Sequence, residues 1–452
     1  MTVKTRPPSQ IEAAATCSHL TSTKTQGSMR GAGAETRLKT CRRRKPLLRP
    51  FAALRQRAEP DLGHQLKSHP RAPWPAVEEI ARRYYEEKVR EFKLSESQER
   101  ERARLLSRPV KPVDLERVRT IRELVEAWKG CGIQARSLAE CAQVYEAMLG
   151  DPVRPTIFLG LSGALLAGGL RKVIRDMIEY GLVDVVVLTG AIAYQDFYNA
   201  LGFHHYKGSP YADDARLRDL LINRIYDSYV DERGFVYADS LVAEFASRLE
   251  PREYSTREFL ELLGREVKDE LSILRAASRH GVPIFCPAIA DSSIGISLAS
   301  AYRKARQEGR PFMSLSVLRD NYEIGQIVLK SKKRGAIYIG GGVPKNYIND
   351  AAVMFTYTGG HHYAFQLVTD APHWGGLSGS TLDEAKSWGK MDKSLTRATA
   401  YVEATVGLPL VVGYVLQGEA WKGRRRLRFV WEGEELRAIA PGEEVGQPAE
   451  DR

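Results

Sequence analysis

From Trp74 to Leu94 the segment WPAVEEIARRYYEEKVREFKL repeats apolar residues every three or four positions, with Pro75 early, and this spacing predicts a helix. Two further helical patterns follow. They are LERVRTIRELVEAWKG (115–130) and SLAECAQVYEAML (137–149), the latter with Ser137 as its N-cap and Glu140 three residues on. At Pro155 the pattern changes. TIFLG (156–160), VDVVVLTG (183–190), VPIFCPA (282–288), AIYIGGG (336–342) and YAFQLVT (363–369) are short, continuous apolar runs of the kind buried strands show. ALLAGGLRKVIRDMIEYG (164–181), SSIGISLASAYRKARQEG (292–309) and VPKNYINDAAVM (343–354) lie between them with helical character. Apolar strands alternating with helices predict an α/β layered fold with a mostly parallel sheet, which binds ligands at the carboxyl ends of its strands. The longest apolar run, LPLVVGYVL (408–416), suits a buried element and falls far short of the roughly 20 residues that span a bilayer.

Charge divides the chain. Its net charge is +11, yet residues 1–70 alone hold 14 Lys/Arg against 4 Asp/Glu, which leaves +1 for the rest. This segment has Pro, Ser, Thr and Arg but no sustained apolar period, and it includes CRRRKPLLRP (41–50). It reads as a basic disordered arm. Three accounts fit it: a tether to nucleic acid or an acidic surface, an Arg-rich targeting segment, or sequence upstream of the true start. The five cysteines are scattered without a CxxC spacing, so neither a disulfide framework nor a zinc site is expected, and a reducing cytoplasm fits.

The strand ends carry the candidate chemistry. The first runs into LSGALLAGG, the second ends in Thr-Gly, the third runs on to Asp291 and two serines, and AIYIGGG ends in three glycines. Gly340 to Gly342 suit a backbone that approaches a phosphate at a helix N-terminus. No GxGxxG follows the first strand, and no HExxH, GxSxG or Cys-His motif is present. The paired histidines at 204–205 and 361–362, and His373, read as solvated or core residues. DEAKSWGK (383–390) sets two carboxylates, an indole and a lysine within eight residues. A lysine held against an indole loses hydration, which favours its neutral, nucleophilic form, and Lys390 is the nucleophile candidate. The same octapeptide also fits a surface helix with one anchoring Trp.

Taken in order, FLGLSGALLAGGLRK, VDVVVLTG, NRI (223–225), FCPAIADSSIG, IYIGGGVPK, DEAKSWGK and AYVEATVGLPLVV resemble deoxyhypusine synthase, from about Gly132 to about Leu416. The resemblance implies a Rossmann-like NAD-binding fold, a mostly parallel sheet flanked by helices, with N-terminal helices added. It implies a homotetramer with sites at dimer interfaces. NAD oxidises a polyamine such as spermidine, an active-site lysine captures the aminobutyl group as an imine, and the group passes to an acceptor amine and is reduced. In the namesake that acceptor is a lysine of a translation factor. Lys390 matches the imine-forming lysine. Trp388 and Glu384 match residues of the amine pocket. Thr189 with Gly190, Asp291, Gly341 and Thr369 match positions on NAD, and Glu403 stands where the family has an aspartate. Lys386 and Lys393 lie near enough in sequence to lower the basicity of Lys390.

The departures fall on the amine. The family's acid after SLG is Ile296, its histidine after GGGVVK is Asn346, and an asparagine four residues on is Asp350. Its paired glutamates after the VDV strand are Tyr194 and Gln195. Its FDGSDSGA reads HWGGLSGS (373–380), so two aspartates become Trp374 and Leu377, and its TSN reads SGA (162–164). A polyamine carries positive charge at each end, and carboxylates must replace the hydration it loses. The lysine chemistry is kept and the substrate end is remodelled, with Asn346 and Asp350 the nearest polar candidates. A small-amine acceptor, as in homospermidine synthesis, and a non-catalytic NAD- or partner-binding scaffold are the competing readings. The expected organisation is a basic arm (1–70), an N-terminal helical region (71–150), an NAD-binding catalytic domain (151–432) and a flexible C-terminal tail (433–452). No metal and no membrane contact are expected, and nucleic-acid contact, which only the tether account of the arm would bring, has no further support in the sequence.

Overall fold

The computed structural model describes residues 74–355 and 359–445. The arm expected over 1–70 lies outside them. Trp74–Val89 forms the helix that its spacing predicts, with no buried residue. The compact unit that holds the sheet begins at Arg100. Helices Ile121–Trp128 and Ile133–Gly150 therefore belong with the sheet, not with a separate N-terminal region, because Val125, Tyr145 and Met148 are buried in its core.

Six strands form one sheet: β1 (Thr156–Leu161), β2 (Val185–Leu188), β3 (Ile284–Phe285), β4 (Arg334–Ile339), β5 (His361–Leu367) and β6 (Met391–Ala400). Their order is β6-β5-β4-β1-β2-β3, and every pairing is parallel. β1, β2 and β4 are buried along their whole length, which is why they read as continuous apolar runs. Their side chains still alternate. Ile157, Leu159, Val186 and Ile337 enter one core, and Phe158, Val185, Val187 and Tyr338 enter the other. The strand order reverses between β1 and β4, the switch point where such sheets hold ligands.

Register aligns the strand ends. Leu161 pairs with both Leu188 and Ile339, Ile339 with Leu367, and Leu367 with Ala400. Five strands thus finish at one level. Ser162, Thr189, Gly340, Val368 and Tyr401 each stand one residue beyond it, at the carboxyl edge.

Local differences from the sequence reading have local causes. Ser137 does not cap a helix. The helix starts after Gly132, and Ser137 Oγ donates to the Ile133 carbonyl from within it. The helix expected from Ala164 starts only at Arg171, because Gly163 and Gly169 take φ of 99° and 88° and fold the intervening stretch into a turn. Ile121–Trp128 is fixed by Thr120 and Glu123 in a reciprocal capping box. The tail expected over 433–452 contains the strand Glu435–Glu444, antiparallel to Arg425–Glu432. Gly433, at φ 60°, supplies the two-residue turn, and Phe429 and Leu436 are buried in the core.

Candidate active site

A cavity of about 1280 Å³ lies at the switch point. Ser162, Gly340, Gly341, Thr369, Ser378 and Glu403 line it, so three of the cofactor candidates, Gly341, Thr369 and Glu403, meet there. Residues 205–208 and 225–228 line it as well, from a small antiparallel sheet of Tyr206–Lys207, Ile222–Ile225 and Ser228–Asp231. This wall was missed from sequence except for the NRI block, since strands of two to four residues carry almost no periodic signal.

The glycine turn has a different role from the expected one. Gly340 takes φ 75°, and a Cβ there would lie 2.5 Å from Ser162 Oγ, so only glycine fits. Its three N–H groups are already engaged. Gly340 donates to the Leu367 carbonyl at 2.8 Å, Gly341 to Ser162 Oγ at 2.8 Å and Gly342 to Ser378 Oγ at 3.0 Å. A polar ligand in the cavity meets the hydroxyls of Ser162 and Ser378 instead of bare amides. Glu403 caps the helix Ala404–Leu416, accepting from Thr405 N at 2.8 Å.

The other cofactor candidates form a second group. Thr189 is the N-cap of the helix Gly190–Ala200, and Asp291 is an exposed residue just before Ser292. A Cβ on Gly190 would lie 2.3 Å from Ser292 Oγ, so the loops after β2 and β3 press together there. Thr189, Gly190 and Asp291 do not line the 1280 Å³ cavity.

The lysine centre is built by the helix Gly342–Ala351, which follows β4. One turn apart on it, Asn346 Nδ2 donates to Asp350 Oδ2 at 2.8 Å. Lys390 Nζ lies 2.8 Å from Asp350 Oδ1 and donates to Asn346 Oδ1 at 3.1 Å. The Lys390 backbone is pinned where β6 begins. Its carbonyl accepts from His361 N at 3.0 Å, and a Cβ on Gly360 would come within 2.4 Å of its carbonyl carbon. The Lys390 amine sits 5.5 Å from the centroid of the Trp388 ring, but that ring is 66% exposed. Within one chain, then, the indole does not wrap the amine, and the strongest contact of Lys390 is a carboxylate. Lys386 is committed to Asp383 at 3.1 Å, and Lys393 is exposed. Glu384 is exposed at the start of the short helix Glu384–Ser387.

Of the departures, Tyr194 is buried and its hydroxyl donates to the Phe235 carbonyl at 2.9 Å, so it belongs to the core. Ile296, Trp374 and Leu377 are exposed. Leu377–Gly379 is a 3₁₀ turn packed on the helix that carries Asn346 and Asp350. Lys345, on that same helix, was also missed. In sequence it is one more lysine in an amphipathic stretch, yet it is 1% exposed. Among the described residues no group of His, Cys, Asp and Glu could hold a metal ion, and no helix is long and apolar enough to cross a membrane.

Fold and site together define a doubly wound α/β protein with a cavity at its switch point and a lysine–carboxylate centre on an adjoining helix. The deoxyhypusine synthase family pattern matches residues 123–415. The chain is 41% identical over 339 residues to a Methanosarcina acetivorans protein named "Probable deoxyhypusine synthase 2", covering 73% of this chain and 96% of that one. It is 38% identical over 346 residues to a deoxyhypusine synthase-like protein of Chlorobaculum parvum, covering 74% and 97% of the two chains. It is 39% identical over 331 residues to another from Coxiella burnetii, covering 71% and 92%. The chain belongs to the deoxyhypusine synthase family, a family of transferases.

Proposed function

We propose that the protein is an NAD-dependent transferase that moves an aminoalkyl group from a polyamine, through an imine on Lys390, to an acceptor amine. One observation carries this reading. Lys390 is held by Asn346 and Asp350, two residues of the helix that starts at the glycine floor of the strand-end cavity. A redox cofactor and a nucleophilic amine would thus share one structural element.

The cavity suits NAD. Its volume is ample for an extended dinucleotide, its floor admits no side chain at Gly340 or Gly341, and hydroxyls and the Glu403 carboxylate stand on its walls. Bound there, NAD would accept a hydride from the carbon beside the donor's secondary amine and later return it. Lys390 Nζ would attack the oxidised carbon, forming a C–N bond as the donor's remaining amine leaves. Asp350, 2.8 Å away, is placed to take the proton that the amine sheds before attack. The acceptor amine would then displace Lys390 from the same carbon, and reduction would fix the product.

Trp388 leaves one face open to solvent, which supports a site completed by a second copy of the chain in a homotetramer. A cytoplasmic location fits Cys131, Cys141 and Cys286, all free thiols. The acceptor is a protein lysine or a small amine. Incubating the protein with NAD, spermidine and either putrescine or a lysine-bearing protein separates these, because only the true acceptor gains mass. Calorimetric titration with NAD tests the cofactor directly, and folded protein that binds no NAD removes the reading.

A further inference from the structure

Lys345 is a buried ammonium whose three N–H groups have three acceptors and no carboxylate among them. Nζ donates to the Ser380 carbonyl at 2.6 Å, to Gln366 Oε1 at 3.1 Å and to the Ser378 carbonyl at 3.2 Å. Gln366, on β5, extends the lock. Its Nε2 donates to the Gly340 carbonyl and to the Ser378 carbonyl, both at 2.9 Å. Ser378 Oγ in turn accepts from Gly342 N at 3.0 Å. The 378–380 turn is thereby bolted to the glycine floor and to β5, and Ser378 is part of the cavity wall. Beside Lys345 in sequence is Asn346, which holds Lys390. One buried cation therefore fixes both the wall of the cavity and the start of the helix that carries the lysine centre.

We infer that Lys345 is a positioning residue, whose charged form clamps the 378–380 turn onto the glycine floor and so holds the cavity in the shape that binds NAD. This rests on the reading that the cavity is the NAD site. The clamp needs all three N–H donors. A neutral amine has two, and it turns a lone pair toward a carbonyl oxygen. Burial pushes the Lys345 amine down to about 8, and the Glu384 carboxylate opposes that shift. The other titratable groups around this helix act elsewhere on it. Tyr338 meets Asn349, His361 meets the Ile348 carbonyl, and Asp320 and Glu323 act on Tyr347. The ammonium is present at pH 7 and mostly lost by pH 9, so NAD affinity should fall as pH rises through about 8.

The test is calorimetric titration of NAD into the full chain, wild type and Lys345→Met, from pH 7 to pH 9, with folding followed by circular dichroism. Wild type should bind more weakly at pH 9 than at pH 7, with the midpoint near 8. Folded Lys345→Met should bind about tenfold or more weakly at pH 7, with no such pH dependence. Binding by folded Lys345→Met equal to wild type, or the same pH profile in both, overturns the inference. If Lys345→Met does not fold, the wild-type series decides, and a flat affinity from pH 7 to 9 overturns it. Wild type that binds no NAD at any pH overturns the functional reading and this inference with it, whereas unchanged binding in the variant overturns the inference alone.

Discussion

Lys390 and Asp350 meet as an ion pair, Nζ to Oδ1 at 2.8 Å, joining the residue before β6 to the last turn of the helix after β4. Asn346 closes the triangle, bonding to both. The amine is thereby held in one place by two polar partners, with the exposed indole 5.5 Å from it. Replacing Asp350 by Asn keeps the shape of this triangle but removes both the anchoring charge and the proton acceptor. Asp350→Asn should lower the rate of transfer about tenfold to a hundredfold, in the range of lost orientation and general-base assistance. Its affinity for NAD should match that of wild type. Steady-state transfer assays beside NAD titration check both halves, and an unchanged rate would show that Asp350 only decorates the site.

Gly341 and Ser378 give the second prediction. A Cβ on Gly341 would lie 2.5 Å from Ser378 Cα, a backbone atom that cannot swing aside. Gly341→Val should push the 378–380 turn off the floor and weaken NAD binding by about 1.4 kcal/mol or more, a factor of ten. Gly376→Ala is the matched control. Its Cβ would meet only Asp370 Oδ2, at 4.0 Å, and it should bind NAD like wild type. Equal affinity in Gly341→Val would place the NAD site elsewhere.

Much of this architecture was visible in the chain before folding, and the reasons differ by element. β1, β2 and β4 are buried on both faces, so their apolar runs could be read directly. Lys390 and Trp388 were found because an amine and an indole two residues apart are chemically conspicuous. Asn346 and Asp350 were reached only through the family resemblance, as candidates at the substrate end, and their bonds to Lys390 were not legible, since they arrive from a different crossover. Lys345 was invisible because its burial depends on the 378–380 turn folding over it. The glycine amides were misjudged because Ser162 and Ser378 reach them from other loops. The terminal strand Glu435–Glu444 reads as a tail because it carries Pro441, Gly442 and three glutamates, and only Leu436 among its residues is buried.

Asp320 offers a stability test away from the site. Its carboxylate accepts from Thr256 N and Thr256 Oγ1, both at 2.8 Å, and burial drives its pKa up to about 7, with Glu323 adding to the shift. The folded state then holds a proton that the unfolded state releases near its ordinary value. Stability contributed by this group is present in acid and lost as pH rises from about 4 through about 7. Asp320→Asn cannot ionise. Relative to wild type it should gain roughly 1–4 kcal/mol between pH 4 and pH 7. Denaturant melts at the two pH values check this, and a constant difference between the proteins would contradict it.

The charge split gives a fourth prediction. The arm of 1–70 holds nearly all of the net positive charge, and the family match starts only at residue 123. Deleting 1–70 should leave transfer activity, NAD affinity and oligomeric state unchanged. It should abolish salt-sensitive adsorption to nucleic acid, which works by counterion release. Loss of assembly in the truncated protein, followed by sedimentation, would contradict this view of the arm.

The central claim is that Lys390 carries the transferred group. The most direct measurement is borohydride trapping during turnover with NAD and spermidine, followed by peptide mapping. Reduction of the imine should leave an aminobutyl group on Lys390, with nothing trapped when NAD is left out. Lys390→Arg should trap nothing and transfer nothing while binding NAD normally, because a guanidinium with a pKa above about 12 cannot serve as the neutral nucleophile. An adduct on another residue, or full transfer by Lys390→Arg, would contradict the account and leave Lys390 as the end of a surface helix paired with Asp350.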